Sequence, residues 1–134
     1  MRRAIVLALL LATAQPKPFD PKSILATDKK AYVHILWNAA DQKDALAQPS
    51  RKLAAARFAV RLAFERYPAG ATADRVKVDI VFVNEKDGYG LPKWNALKRV
   101  ATVELLRSKV LKDGKPVELT EADLARLERC ELHG

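Results

Sequence analysis

Apolar and polar residues alternate through Ala31-Tyr32-Val33-His34-Ile35-Leu36-Trp37. This predicts a strand with Val33, Ile35 and Trp37 on one face and Tyr32, His34 and Leu36 on the other. Residues 38–49 are a polar connection with a helical turn expected around Asp44 to Ala47. The period then changes. Leu53, Ala56, Val60, Ala63, Phe64 and Tyr67 recur at helical spacing behind Ser50, a good N-cap residue, and Pro68 and Gly70 end the run. Arg57, Arg61 and Glu65 fall four apart on the opposite side, as on a solvated helix face.

Val76 to Asn84 predicts a second strand, with Val76, Val78, Ile80 and Phe82 sharing a face. Its other face starts with Lys77 and Asp79 and turns apolar at Val81 and Val83. Residues 85–92 are dense in turn formers and read as a long connection or hairpin tip. From Arg99 to Leu106 a helical wheel scatters the apolar residues. Strand alternation instead places Ala101, Val103 and Leu105 together, with Thr102 and Glu104 opposite, so a third strand is expected. Ser108 to Lys112 suggests a helical turn, and Asp113-Gly114 a tight turn. Thr120-Glu121-Ala122-Asp123 resembles a capping box opening a last helix through Leu124, Leu127 and Cys130.

The resulting order is strand, helix, strand, strand, helix. The long helix is a crossover, which makes the first two strands parallel. The third returns antiparallel. Both helices then cover one face of a three-stranded mixed sheet, a small two-layer α/β (α+β) sandwich over residues 31–134.

The N-terminal pattern is of another kind. Met1-Arg2-Arg3 is positive, residues 4–11 are an unbroken apolar run, and Ala12-Thr13-Ala14 is a small-residue exit before Gln15 and Pro16. That order predicts a signal peptide over residues 1–14. The apolar run is about half the 20 residues a spanning helix needs. The expected location is therefore extracytoplasmic, periplasmic or secreted. No cysteine follows the run, so lipid attachment is not supported. Residues 15–30 carry Pro16, Pro18 and Pro21 among lysines and read as an extended tether. Phe19, Ile24 and Leu25 in it are able to lie against the domain.

Charge and chemistry narrow the picture only slightly. The chain has a formal net charge of +8, about +6 once Arg2 and Arg3 are removed. Basic residues are spread along the whole chain, so the charge favours anionic partners without naming one. The single cysteine, Cys130, excludes an internal disulfide and a C-x-x-C redox pair. It reads as a small apolar residue on the last helix.

Cys130 and His133 have C-x-x-H spacing, but two ligands fall short of a zinc site. No nucleophile elbow and no phosphate loop occurs. Asp79 and Glu104 sit on neighbouring strands, yet the lysine expected of a metal-dependent nuclease is missing after Glu104. No cofactor, metal or specific nucleic acid is therefore expected.

Two functional readings remain. The first is a non-enzymatic exported binding domain whose partner is a protein, an anionic envelope component or a second copy. It would dock on the helix-free sheet face through Tyr32, His34, Leu36 and Val81, with Tyr89 and Trp94 on the loop beside it. Aromatics kept in a Gly- and Pro-rich loop favour recognition. The second is a small exported hydrolase assembled from His34 and the strand carboxylates Asp79 and Glu104. A shared concave pocket would favour the hydrolase, and scatter over an open face would disfavour it.

Overall fold

The structure, a computed structural model, describes residues 24–28, 32–47, 50–66 and 73–133. The expected signal peptide and the start of the tether lie outside these residues.

Five strands form one sheet in the order β1-β2-β3-β4-β7. They are β1 (Ile24–Asp28), β2 (Val33–Asn38), β3 (Arg75–Phe82), β4 (Lys98–Leu106) and β7 (Arg129–Leu132). A two-residue ladder of β5 (Leu111–Lys112) and β6 (Lys115–Pro116) stands apart. The fold is mixed α/β, and its central three strands follow the expected pairing. β2 and β3 are parallel, joined through the one-turn helix α1 (Lys43–Leu46) and the long helix α2 (Arg51–Arg66). β3 and β4 are antiparallel.

The three-stranded, two-helix arrangement needs correction at both edges. Ile24–Asp28, inside the expected tether, pairs antiparallel with β2 and widens the sheet sideways. At the other edge the expected last helix does not form. Thr120 and Asp123 do make the capping box, but it opens only a 3-10 segment, Glu121–Arg126. The chain then straightens into β7, so Cys130 is a strand residue. Ser108 to Lys112 divides likewise into a 3-10 turn, Arg107–Val110, and β5. Asp113 and Gly114, both at positive φ, make the tight turn to β6. Glycine reaches such a backbone without strain, and Asp is among the few other residues that do.

One face of the sheet packs on α2. Val33, Ile35 and Trp37 of β2, Val76, Val78 and Ile80 of β3, and Ala101, Val103 and Leu105 of β4 are all buried in this core. Small residues Ala55, Ala56, Ala59 and Ala63 let the helix approach closely. Phe58 fills the space over Trp37, ring centroids 4.8 Å apart. Of the expected stripe, Ala56, Val60 and Ala63 are buried and Leu53 is partly so, while Tyr67 lies outside the described residues. Phe58 and Leu62 are core residues, whereas Phe64 is only partly buried. The hydroxyl of Ser50 bonds the Glu121 carboxylate, and its carbonyl receives the Ala54 N–H, starting the helix.

Register continuity breaks once. Ile80 pairs with Ala101, but Val81 pairs with Arg99, leaving Val100 as an extra residue in β4. No helix of the described residues is long and apolar enough to cross a membrane.

Candidate functional site

The strand registers set two rows across the helix-free face. One runs Thr27, His34, Lys77, Glu104, Arg129, and the next runs Leu25, Leu36, Asp79, Thr102, Glu131. Diagonal neighbours across a rung are within reach of long side chains. His34 reaches diagonally to Asp79, Nε2 to Oδ2 at 2.7 Å. Beyond the end of β7 the backbone N–H of His133 still bonds the Val100 carbonyl, holding that residue in line. His133 then reaches diagonally the other way, Nε2 to Thr102 Oγ1 at 2.8 Å. Between them Thr102 Oγ1 lies 2.6 Å from Asp79 Oδ1.

The proton positions in this chain of four follow from the carboxylate. Asp79 is 1 % and Thr102 3 % exposed. Burial, the largest influence, pushes the Asp79 carboxyl up. The hydrogen bonds from Thr102 and His34, with the charges of His34 and Lys77, outweigh it and hold the group below its ordinary value. Asp79 is therefore ionised and accepts only. Thr102 must donate to it, so the Thr102 oxygen accepts from His133 Nε2–H. His34 likewise donates through Nε2–H. Both imidazoles keep Nδ1 outside the chain.

Chemically this arrangement orients two imidazoles around a satisfied carboxylate. A buried carboxylate that fixes a histidine tautomer is a feature of general-base sites. The hydroxyl bonded here gives its proton to Asp79, which makes it a bridge rather than a nucleophile. Glu104 stands away from the chain, 3.8 Å from Arg129. Among the described residues no group of three histidine, cysteine or carboxylate side chains is placed to hold a metal ion.

The residues expected to meet a partner have varied surroundings. Tyr32 and Leu36 are half-buried on the helix-free face, and the Tyr32 ring lies 6.3 Å from that of His34. Val81 is fully buried, so it cannot touch a partner. Asp79, two residues earlier on the same face of β3, is buried as well, so the central strand is covered on both faces there. Val83 and Val100 are also buried, and none of the three belongs to the main core cluster.

Trp94 is half-buried in a 3-10 turn, Trp94–Ala96. Tyr89 is 91 % exposed at the tip of the β3–β4 loop. That tip is tied from within. Asp87 Oδ1 accepts the N–H groups of Tyr89 and Leu91, at 2.8 and 3.0 Å. The Asp87 N–H bonds the Leu91 carbonyl, and the Lys93 N–H bonds that of Glu85. Gly90 takes the positive φ the turn needs. At the loop's root Asn38 makes two bonds to the backbone of Val83.

Cys130 points toward α2, its Sγ 3.6 Å from the Lys52 carbonyl oxygen, and burial pushes its thiol up. That disfavours the thiolate a reactive cysteine requires.

A concavity lies on the helix side. Val60 and Phe64 of α2 face Val117 and Leu119 across a cleft of about 290 Å³, flanked by Arg57, Arg61, Glu65, Pro116 and Glu118. Arg57 Nε donates to the Leu119 carbonyl at 2.9 Å and ties the two walls together. No residue of the polar chain lines it.

Thr102 and His133 were not legible as site residues. The expected last helix carried His133 out of register with Thr102. Strand alternation of Cys130 and Leu132 against Glu131 and His133 is the signal that places it. No protein-family model, curated protein or solved structure matches the chain.

Proposed function

We propose that the chain is an exported, non-enzymatic binding domain, basic in charge, whose recognition element is the loop carrying Tyr89. The observation behind this reading is a tyrosine at 91 % exposure on a turn already fixed by its own hydrogen bonds. A large amphipathic side chain on a rigid support gives contact area at low entropic cost. The half-buried Tyr32, His34 and Leu36 extend the contact surface on the helix-free face.

The test is a photo-crosslinking residue at position 89, compared with the same residue at exposed Lys112. Purified mature protein is mixed with envelope extract. Adducts formed at 89 and not at 112 support the reading. Equal yields at both positions, or none at 89, overturn it.

The contact between His34 and Asp79 favours one second reading, a hydrolase using His34 as general base. A panel of nitrophenyl esters and phosphates decides between them. Turnover lost in His34→Ala would move the assignment to an enzyme. Absence of turnover in the wild type would leave the contact a structural one.

A further inference from the structure

Among the described residues, four large hydrophobic side chains are exposed: Leu25, Tyr89, Leu91 and Leu111. Two of them, Tyr89 and Leu91, share the tip of the β3–β4 loop. A third, Leu111, pairs with Pro116, and Pro116 lines the helix-side cleft. Leu25 lies apart on β1, so the tip is the one place with two exposed hydrophobic side chains, and the cleft near Leu111 is a concave apolar counterpart to it.

The topology puts them at opposite ends of the molecule. The tip leaves the C-terminal end of β3. α2 runs back from the end of β2 to the start of β3, so its second half, which lines the cleft, lies toward the other end. Residues 116–119 follow the far end of β4. A chain cannot place its own tip in its own cleft.

We propose that the Tyr89 tip of one copy seats in the cleft of a second copy. At about 290 Å³ the cleft lies at the lower limit of small-molecule pockets and has room for one or two side chains. Its floor of Val60, Phe64 and Leu119 matches the Tyr89 ring and Leu91. Its rim carries both signs, with Arg57 and Glu118, and the tip carries both signs, with Lys86 and Asp87, so each charge has an opposite to meet. Both parts are preformed, the tip by the Asp87 bonds and the cleft by the Arg57–Leu119 bond. This contact rests on the Tyr89 loop being the recognition element.

Two consequences distinguish it from docking on an anionic partner. The patch is small, so the association is weak and transient. Each mature copy also carries a formal charge of about +6, so long-range repulsion opposes it. Added salt screens that repulsion and strengthens the contact, whereas salt weakens binding to an anionic partner.

The experiment uses two populations of mature protein, beginning at Gln15 and carrying Cys130→Ser. One also carries Gly88→Cys with a nitroxide label, beside an intact Tyr89 and at a position where an added side chain meets nothing within 4 Å, and the other is ¹⁵N-labelled and has no nitroxide. They are mixed at a few hundred micromolar in low and in high salt. The expected result is selective broadening of the amide signals of Val60, Phe64, Val117 and Leu119, about twofold or more stronger in high salt. A label moved to position 112 should leave those signals sharp. Sedimentation velocity on unlabelled protein should show concentration-dependent association that Tyr89→Ala removes. Broadening elsewhere, or none in either salt, overturns the proposal. If position 89 then still crosslinks a different protein, the recognition loop stands and only its occupant is wrong.

Discussion

Replacing Asp79 by Asn should reverse the direction of proton donation across the sheet instead of destroying the polar chain. In the wild type, Asp79 accepts from His34 Nε2 at 2.7 Å and from Thr102 Oγ1 at 2.6 Å. An amide at the same place has one acceptor and one donor end. Its oxygen can still take the His34 proton. Its Nδ2–H then donates to Thr102, whose hydroxyl turns to donate to His133 Nε2. That last bond exists only if His133 moves its proton to Nδ1.

Two charge-assisted bonds of about 1.5–3 kcal/mol become neutral ones of about 0.5–1.5 kcal/mol, so Asp79→Asn should cost about 2 kcal/mol. Asp79→Ala removes the acceptor of both the buried Thr102 and the half-buried His34 and opens a space in the sheet. It should cost more, about 3–4 kcal/mol, from the lost charge-assisted bonds and the unsatisfied Thr102 donor. Urea unfolding gives the energies, and the ¹⁵N shifts of the imidazoles give the tautomers. An Asn variant as unstable as the Ala variant, or one in which His133 keeps Nε2–H, would refute the proton assignment.

Other outcomes follow from the same geometry. Because the folded pKa of Asp79 is depressed, its contribution to stability is complete above the ordinary value of 3.8 and is lost as pH falls through the lower folded value; the acid limb of the wild-type stability curve should be steeper than that of Asp79→Asn, and parallel limbs would contradict this. Phe58→Ala should cost about 3–5 kcal/mol by emptying the space over Trp37, and Phe64→Ala clearly less; equal losses in denaturant melts would count against the helix orientation. Leu36→Glu should leave the fold intact while Val81→Lys unfolds it, since only the second buries a charge; circular dichroism of the two variants decides. Intact mass of protein from the native host should begin at Gln15, and a mature species that keeps residues 1–14 would remove the export reading.

The centre of the sheet was readable because β2, β3 and β4 each bury one face for five or more residues, long enough for period-two patterning to show. The same patterning set the parallel crossover. The edges were not readable. Ile24–Asp28 lies in a proline- and lysine-rich stretch, and β7 has four residues behind a capping box that looked like a helix start. Edge strands this short take their structure from pairing with a neighbour rather than from local preference. His34 and Asp79 were visible as candidates on one face. Their contact is diagonal across a rung, and Thr102 and His133 join only through β7, so the cluster could not be read without that strand. Val81 misled because the central strand is covered on both faces from Asp79 onward, which the apolar Val81 and Val83 already hinted. The tied tip around Tyr89 was foreshadowed by the density of Gly, Asp and Pro in residues 85–92.

The extra residue Val100 in β4 bears on how the chain avoids misfolding. A strand slipped by one place presents the opposite set of side chains to each neighbour. Moving β4 by one against β3 would turn Thr102 toward the alanines of α2 and set a methyl group beside the Asp79 carboxylate. The bulge and the Asp79–Thr102 bond each accept a single alignment, and they accept the same one. Mispaired sheets are thus penalised twice, once by backbone geometry and once by an unsatisfied buried charge. A polar pair in the interior of the sheet therefore acts as a proofreader of assembly, and deleting Val100 should yield a population of competing registers even where total stability changes little.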